Sequence, residues 1–311
     1  MSTVSSGRNK MNTLLVVLLV ISLIGNAVGV YVVYKYMNLR TWFAEAQAKL
    51  SDCGDANRGL TASVNDLTAE LDQHVDTRMV YLHHSVGRRI LSQGGLRNDL
   101  LDMGILVKSA TYGDEIGEDT DICHWAGKFD SSMSDILEFR SHGNLYHSDG
   151  TTNDIVVFKP CYPNSDIVGE GTMPGDPYGE ERTMANYKAT FEHIKPLMAE
   201  HPNKLFIYMT APPRVPEATT VEMAARAKEF NDWLINEFQP NYATETGQNN
   251  FYVFDLFGTL ANEKGFLRAD YRLNLPGDSH PNEAGAKAAA SAFLAMFQPL
   301  WNDWKPKLAK S

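Results

Sequence analysis

Met79-Val80-Tyr81-Leu82-His83-His84-Ser85-Val86-Gly87 is an apolar run that ends in two histidines and a serine, just ahead of a helical pattern. A short, nearly continuous apolar stretch of this kind is the signature of a strand covered on both faces. The serine at its carboxyl end, followed by Val86-Gly87, places a hydroxyl at a strand-to-helix turn near the positive end of a helix dipole. Taken by itself, a serine there is equally the residue that caps an ordinary helix.

The strand Met79–His84 is joined by Ile105–Thr111, Asp154–Lys159, Lys204–Thr210 and Phe251–Asp255. Helical periodicity fills the intervals at Arg89–Met103, Glu181–His201, Thr219–Phe238 and Asn282–Met296. Alternating strands and helices predict an α/β fold, a parallel five-stranded sheet between two helical layers. Ligands in such sheets bind beyond the carboxyl ends of the strands. Two long polar stretches, Gly113–Asp130 and Pro160–Gly179, read as loops that wall such a pocket.

Ahead of this domain, assigned to residues 77–311, lie three further segments. After a short tail (1–12), residues 13–36 contain TLLVVLLVISLIGNAVGVYVVY, which has no charge and as a helix spans a bilayer core. The alternative is a cleaved signal peptide, with Ala27 and Gly29 near the cut, but the apolar run continues beyond them. Arg8 and Lys10 on the short tail predict a single-pass membrane protein with a cytoplasmic N-terminus and the domain outside the cytoplasm. Residues 37–76 form a helical stalk in which Cys53, Asn57, Leu60, Val64 and Leu67 fall on a heptad seam, a pattern that suits a parallel homodimer. The alternative for the stalk is a monomeric amphipathic linker helix.

A net charge of −10 repels polyanions, so nucleic acid is not an expected partner. Three cysteines, Cys53, Cys123 and Cys161, have no metal-ligand spacing; Cys123 and Cys161 are either a bridge or separate thiols. His83 and His84 occupy adjacent strand positions and point to opposite faces, which argues against a metal pair and sends one to the pocket, with His84 the candidate, and the other inward. The acidic stretch Gly169–Glu181 matches no calcium loop. Neither a metal nor an organic cofactor is expected.

Four places carry candidate chemistry. Besides Ser85, Gly113 follows the second strand in Thr111-Tyr112-Gly113-Asp114 and offers a backbone N–H to an oxyanion, unless it is an ordinary turn glycine. Asn164, in Phe158-Lys159-Pro160-Cys161-Tyr162-Pro163-Asn164-Ser165-Asp166, has a side-chain amide for the same purpose, or else satisfies its own turn. In Gly277-Asp278-Ser279-His280-Pro281-Asn282, His280 is placed to take the Ser85 proton and Asp278 to orient its ring. Trp125 suits a sugar ring or the core, and Asp255 suits the cleft or a loop anchor.

Together these blocks resemble the SGNH (GDSL-like) hydrolase superfamily over about residues 79–300. The resemblance implies a flavodoxin-like three-layer α/β/α domain with a catalytic Ser85, His280 and Asp278. It further implies an oxyanion hole of Ser85, Gly113 and Asn164, with His84, Trp125 and Asp255 as substrate-binding candidates. Two blocks depart from the family: His-His-Ser stands where Gly-Asp-Ser is usual, and Asp-x-His where Asp-x-x-His is common. The shorter spacing is similar to that of SGNH-like proteins of alginate O-acetylation. The expectation is therefore a membrane-anchored esterase acting on an ester-bearing substrate of the acetylated-glycan class, with an O-acyltransferase or a non-catalytic scaffold or glycan-binding protein as alternatives.

Overall fold

Five apolar stretches pair in parallel into one sheet: β1 (Thr77–Leu82), β2 (Ile105–Ala110), β3 (Ile155–Phe158), β4 (Leu205–Met209) and β5 (Phe251–Phe254). The computed structural model describes residues 75–308 apart from residue 274. The tail (1–12), the membrane helix (13–36) and nearly all of the stalk (37–76), with Cys53, Asn57, Leu60, Val64 and Leu67, lie outside the described residues. Among the described residues, no helix is long and apolar enough to cross a membrane.

The strand order is β2-β1-β3-β4-β5, every pairing parallel. Side-chain alternation sends Val80, Leu82, Val156, Phe158, Phe206 and Tyr208 to one face, and Met79, Tyr81, Ile155, Val157, Leu205 and Ile207 to the other. Both sets are buried because helices cover both faces, which is why these strands read as continuous apolar runs.

On the first face lie α3 (Ile122–Glu138), α4 (Met184–Ala199), α5 (Val221–Trp233) and α6 (Gln239–Thr246). On the second lie α1 (Ser85–Ser92), α2 (Leu96–Asp102) and the long α8 (Glu283–Leu308), with α7 (Leu256–Leu260) following β5. Along α8 the rings of Phe293, Phe297 and Trp301 stack one turn apart, with centroids 5.4 and 5.9 Å apart. Full burial of one such ring contributes about 1.5–3 kcal/mol, so α8 is anchored well behind the loop that precedes it.

The chain leaves β1 toward the second face and β2 toward the first. The connections therefore diverge beyond the carboxyl ends of β1 and β3, which opens a crevice at the top of the sheet.

Several boundaries differ from the sequence reading. The expected helix Arg89–Met103 is two helices, because Gly95 takes a left-handed turn (φ 83°) between them. The stretch Gly113–Asp130 is a loop only as far as Asp121. From Ile122 it is helical, since Ile122, Trp125, Ala126 and Phe129 recur at helical spacing and are buried. The helix expected at Thr219–Phe238 continues through a π-helical turn, Leu234–Phe238, into α6, and the last helix runs on to Leu308. A short antiparallel hairpin, Phe139–Ser141 with Leu145–Tyr146, has no counterpart in the reading.

The first turn of α1 is set by one close approach. A Cβ placed on Gly87 would lie 2.4 Å from the His83 Cβ, so only glycine lets the helix turn back over the strand it leaves. Gly87→Ala is expected to lower stability by about 1–3 kcal/mol through this overpacking, read as a reduced urea midpoint at unchanged slope.

Candidate active site

Ser85 is the first residue of α1, and His84 holds the cap position without a side-chain cap bond. The serine hydroxyl is therefore free of capping, and it lies 2.6 Å from His280 Nε2. On the other side of the ring, His280 Nδ1 lies 2.6 Å from Asp278 Oδ1. A carboxylate can only accept, so Nδ1 carries the proton and Nε2 is left to accept from the serine hydroxyl. The same Asp278 oxygen accepts the His280 backbone N–H at 2.8 Å. Burial alone would raise the Asp278 carboxyl, but the N–H and ring of His280 outweigh it and hold the carboxyl below its ordinary value.

A two-residue spacing suffices because the residue between is pinned. Ser279 is wholly buried and its hydroxyl accepts the Val215 N–H at 3.2 Å, which fastens this loop to the one following β4. Asn282 completes the anchor: its amide donates to the Asp270 and Arg272 carbonyls at 2.9 and 3.1 Å, and its oxygen accepts the Gly285 N–H at 3.0 Å. The edge of Tyr162 packs on the His280 ring, centroids 5.1 Å apart, with the Arg214 guanidinium over Tyr162.

The two histidines before Ser85 divide their roles by face. His83 is buried: Nδ1–H donates to the His84 carbonyl at 2.6 Å, and Nε2 accepts from the Ser109 hydroxyl at 2.7 Å. His84 lines the cleft, stacks on Tyr112 with centroids 3.9 Å apart, and bonds the Gly117 carbonyl through Nε2 at 3.0 Å. Burial lowers its pKa.

The expected oxyanion donors are engaged elsewhere. Asn164 is buried; one amide group donates to Asp121 Oδ1 at 2.6 Å and to the Cys161 carbonyl at 3.2 Å, while its oxygen accepts the Ile122 N–H and the Tyr187 hydroxyl. It thus joins the β3 loop to the start of α3. The Gly113 N–H donates to Glu118 Oε1 at 2.6 Å. Trp125 is wholly buried, its ring 5.2 Å from Phe158, so it belongs to the core and not to a sugar site. Asp255 caps α7 through the Gly258 N–H at 2.8 Å and is a loop anchor.

Ser85 and His280 open on a cleft of about 510 Å³, a size suited to a small ligand, walled by the loops after β1, β2 and β3. Cys161, Tyr112 and Tyr162 are among the lining residues to which the sequence reading assigned no role in the site. Cys161 Sγ lies 3.8 Å from the Ser85 hydroxyl, and both Cys161 and Cys123 are free thiols. Tyr112 and Tyr162 also line the cleft. Each stands within four residues of the end of a strand, the one signal that could have found them. Beneath them Lys159 is buried, donating to the Pro160 carbonyl at 2.6 Å, and burial pushes its pKa down to about 8. Among the described residues, no cluster of side chains suits a metal ion.

No protein-family model matches this chain. No curated protein matches it either. Solved structures similar to it include a GDSL-like lipase from Bacteroides thetaiotaomicron, 13% identical with a TM-score of 0.41, covering 83% of this chain and 99% of that one. They also include the periplasmic domain of a lipopolysaccharide acetyltransferase from Salmonella ser. Paratyphi A, 11% identical with a TM-score of 0.39, covering 84% and 97%. A third is a family two carbohydrate esterase from Cellvibrio japonicus, 12% identical with a TM-score of 0.37, covering 74% and 62%. Likeness at this level carries no argument about chemistry, which rests on the residues themselves.

Burial pushes the His83 pKa down from 6.5 to about 3. Between those values the unfolded chain binds more protons than the folded one, so stability falls as the pH falls. The slope from this single group is at most about 1.4 kcal/mol per pH unit. Urea midpoints measured from pH 7 to pH 4 are expected to fall less steeply for His83→Gln than for the unsubstituted chain.

Proposed function

We propose that this chain is a serine esterase of SGNH type. The observation that carries the reading is the continuous hydrogen-bonded line from the Ser85 hydroxyl through the His280 ring to the Asp278 carboxylate, 2.6 Å at each step. In the reaction, Ser85 Oγ attacks an ester carbonyl while His280 Nε2 takes its proton. Asp278 keeps Nδ1 protonated and stabilises the imidazolium that forms. The tetrahedral intermediate collapses as His280 returns the proton to the leaving alcohol, and water repeats the sequence on the acyl-enzyme. The Ser85 N–H, at the start of α1, is an oxyanion donor in this scheme.

The substrate in this reading is a neutral acyl ester, an acetylated glycan outside the cytoplasm, with the domain anchored through residues 13–36 and carried on the stalk (37–76). Glu118, Asp119 and Asp121 all face the cleft, which disfavours an anionic acyl group. Transfer of the acyl group to a sugar hydroxyl is the second reading. It is favoured by the Asp278-x-His280 spacing, similar to that of SGNH-like proteins of alginate O-acetylation.

With the full chain in detergent, hydrolysis of p-nitrophenyl acetate is expected to fall at least about 10³-fold in Ser85→Ala, and about 10²- to 10⁴-fold in Asp278→Asn with little change in KM. Activity surviving Ser85→Ala would overturn the assignment. A sugar acceptor that yields an acylated product faster than free acid decides for transfer.

A further inference from the structure

The expected oxyanion hole is short of donors. The Asn164 amide is taken by Asp121 and the Cys161 carbonyl, and the Gly113 N–H by Glu118. The polar groups that contact Ser85, His280 or the adjoining His84 differ in what they can give. His84 spends its N–H on the Gly117 carbonyl, and its other ring nitrogen in the neutral form only accepts. Tyr162 packs against the His280 ring, on the base side of the serine. Cys161 offers a thiol 3.8 Å from the hydroxyl, a weak donor.

Tyr112 reaches the site through the residue before the nucleophile. It stacks on His84, the residue just before the nucleophile, with centroids 3.9 Å apart and planes 21° apart, and it lines the cleft. Its phenol interacts with both the Ser85 hydroxyl and the Ser85 N–H. The turn that carries it is rigid, because the wholly buried Asp114 carboxylate accepts the Thr111 N–H at 3.1 Å and the Gly143 N–H at 2.8 Å.

We propose that the Tyr112 hydroxyl is the second oxyanion donor, working with the Ser85 N–H in place of the Asn164 amide. This rests on the esterase reading above. As the Ser85 Oγ–carbon bond forms and the hydroxyl proton passes to His280, the carbonyl π electrons move onto oxygen. That oxygen accepts hydrogen bonds from the Ser85 N–H and the Tyr112 O–H, and no proton is transferred from either. Burial raises the Tyr112 pKa, which keeps the phenol protonated and able to donate.

The test uses the full chain in detergent, comparing the unsubstituted protein, Tyr112→Phe and Ser85→Ala in p-nitrophenyl acetate hydrolysis and in labelling by a fluorophosphonate. Phe keeps the stack on His84, and Tyr112 is 48% exposed, so the variant is expected to fold, as an unchanged melting midpoint would verify. The expected result is a fall of about 10²- to 10³-fold in kcat and a parallel fall in labelling rate, with KM altered less than about threefold. Tyr112→Phe within about twofold of the unsubstituted rate, or faster because the ring merely obstructed the cleft, overturns this proposal and leaves the esterase reading standing. Ser85→Ala retaining full activity, or absence of labelling in the unsubstituted chain, overturns both.

Discussion

A 2.6 Å contact between the Ser85 hydroxyl and the His280 ring joins residues 195 positions apart, and most of the described architecture serves to hold it. A hydrogen bond of this length tolerates displacement of only a few tenths of an ångström. Ser85 is held because it closely follows a largely buried strand and starts a helix that Gly87 allows to fold tightly over His83. His280 is held because its loop is tied at Ser279, Asn282 and Asp278, while α8 behind it is packed on the sheet by a ladder of aromatic rings.

The location of the site follows from topology. The strand order β2-β1-β3-β4-β5 makes successive connections diverge above β1 and β3, and the loops bearing Ser85, Tyr112 and Cys161 are those at that divergence. Each leaves a strand of the same parallel sheet, β1 and β3 paired on both sides and β2 at the edge against β1, so backbone position where the loops start is set by the sheet. Polar groups buried beneath the loops, His83, Asp114, Lys159 and Asn164, make the local bonds that keep the loops in place. Burial of His83 holds its ring neutral at physiological pH, and this support weakens as the pH falls below the ordinary imidazole range.

Asn164 and Gly113 show where a motif and a geometry part. Both occupy the places in the chain where the resemblance puts oxyanion donors, yet the hydrogens in question are directed at Asp121, the Cys161 carbonyl and Glu118. A buried amide left without partners is destabilising, so the Asn164 amide, once Asp121 approaches, serves the fold, while the exposed Gly113 N–H is taken by Glu118. The departure of the first block from the family, His-His-Ser, has a parallel here: His84 supplies the surface on which Tyr112 stacks.

The sequence alone determined the five strands and the two-sided cover of the sheet, because continuous apolar runs and helical periodicity record burial directly. It also determined that Ser85 and His280 stand at strand and helix ends, since Val86-Gly87 and Pro281-Asn282 mark those ends locally. What it left undecided was every question of direction. Trp125 faced the core and not a sugar, Asp255 capped a helix, Asn164 turned to Asp121, and Tyr112 came to rest beside the nucleophile. Such choices depend on which partner arrives within about 3 Å once distant segments pack, a distance that no local pattern contains.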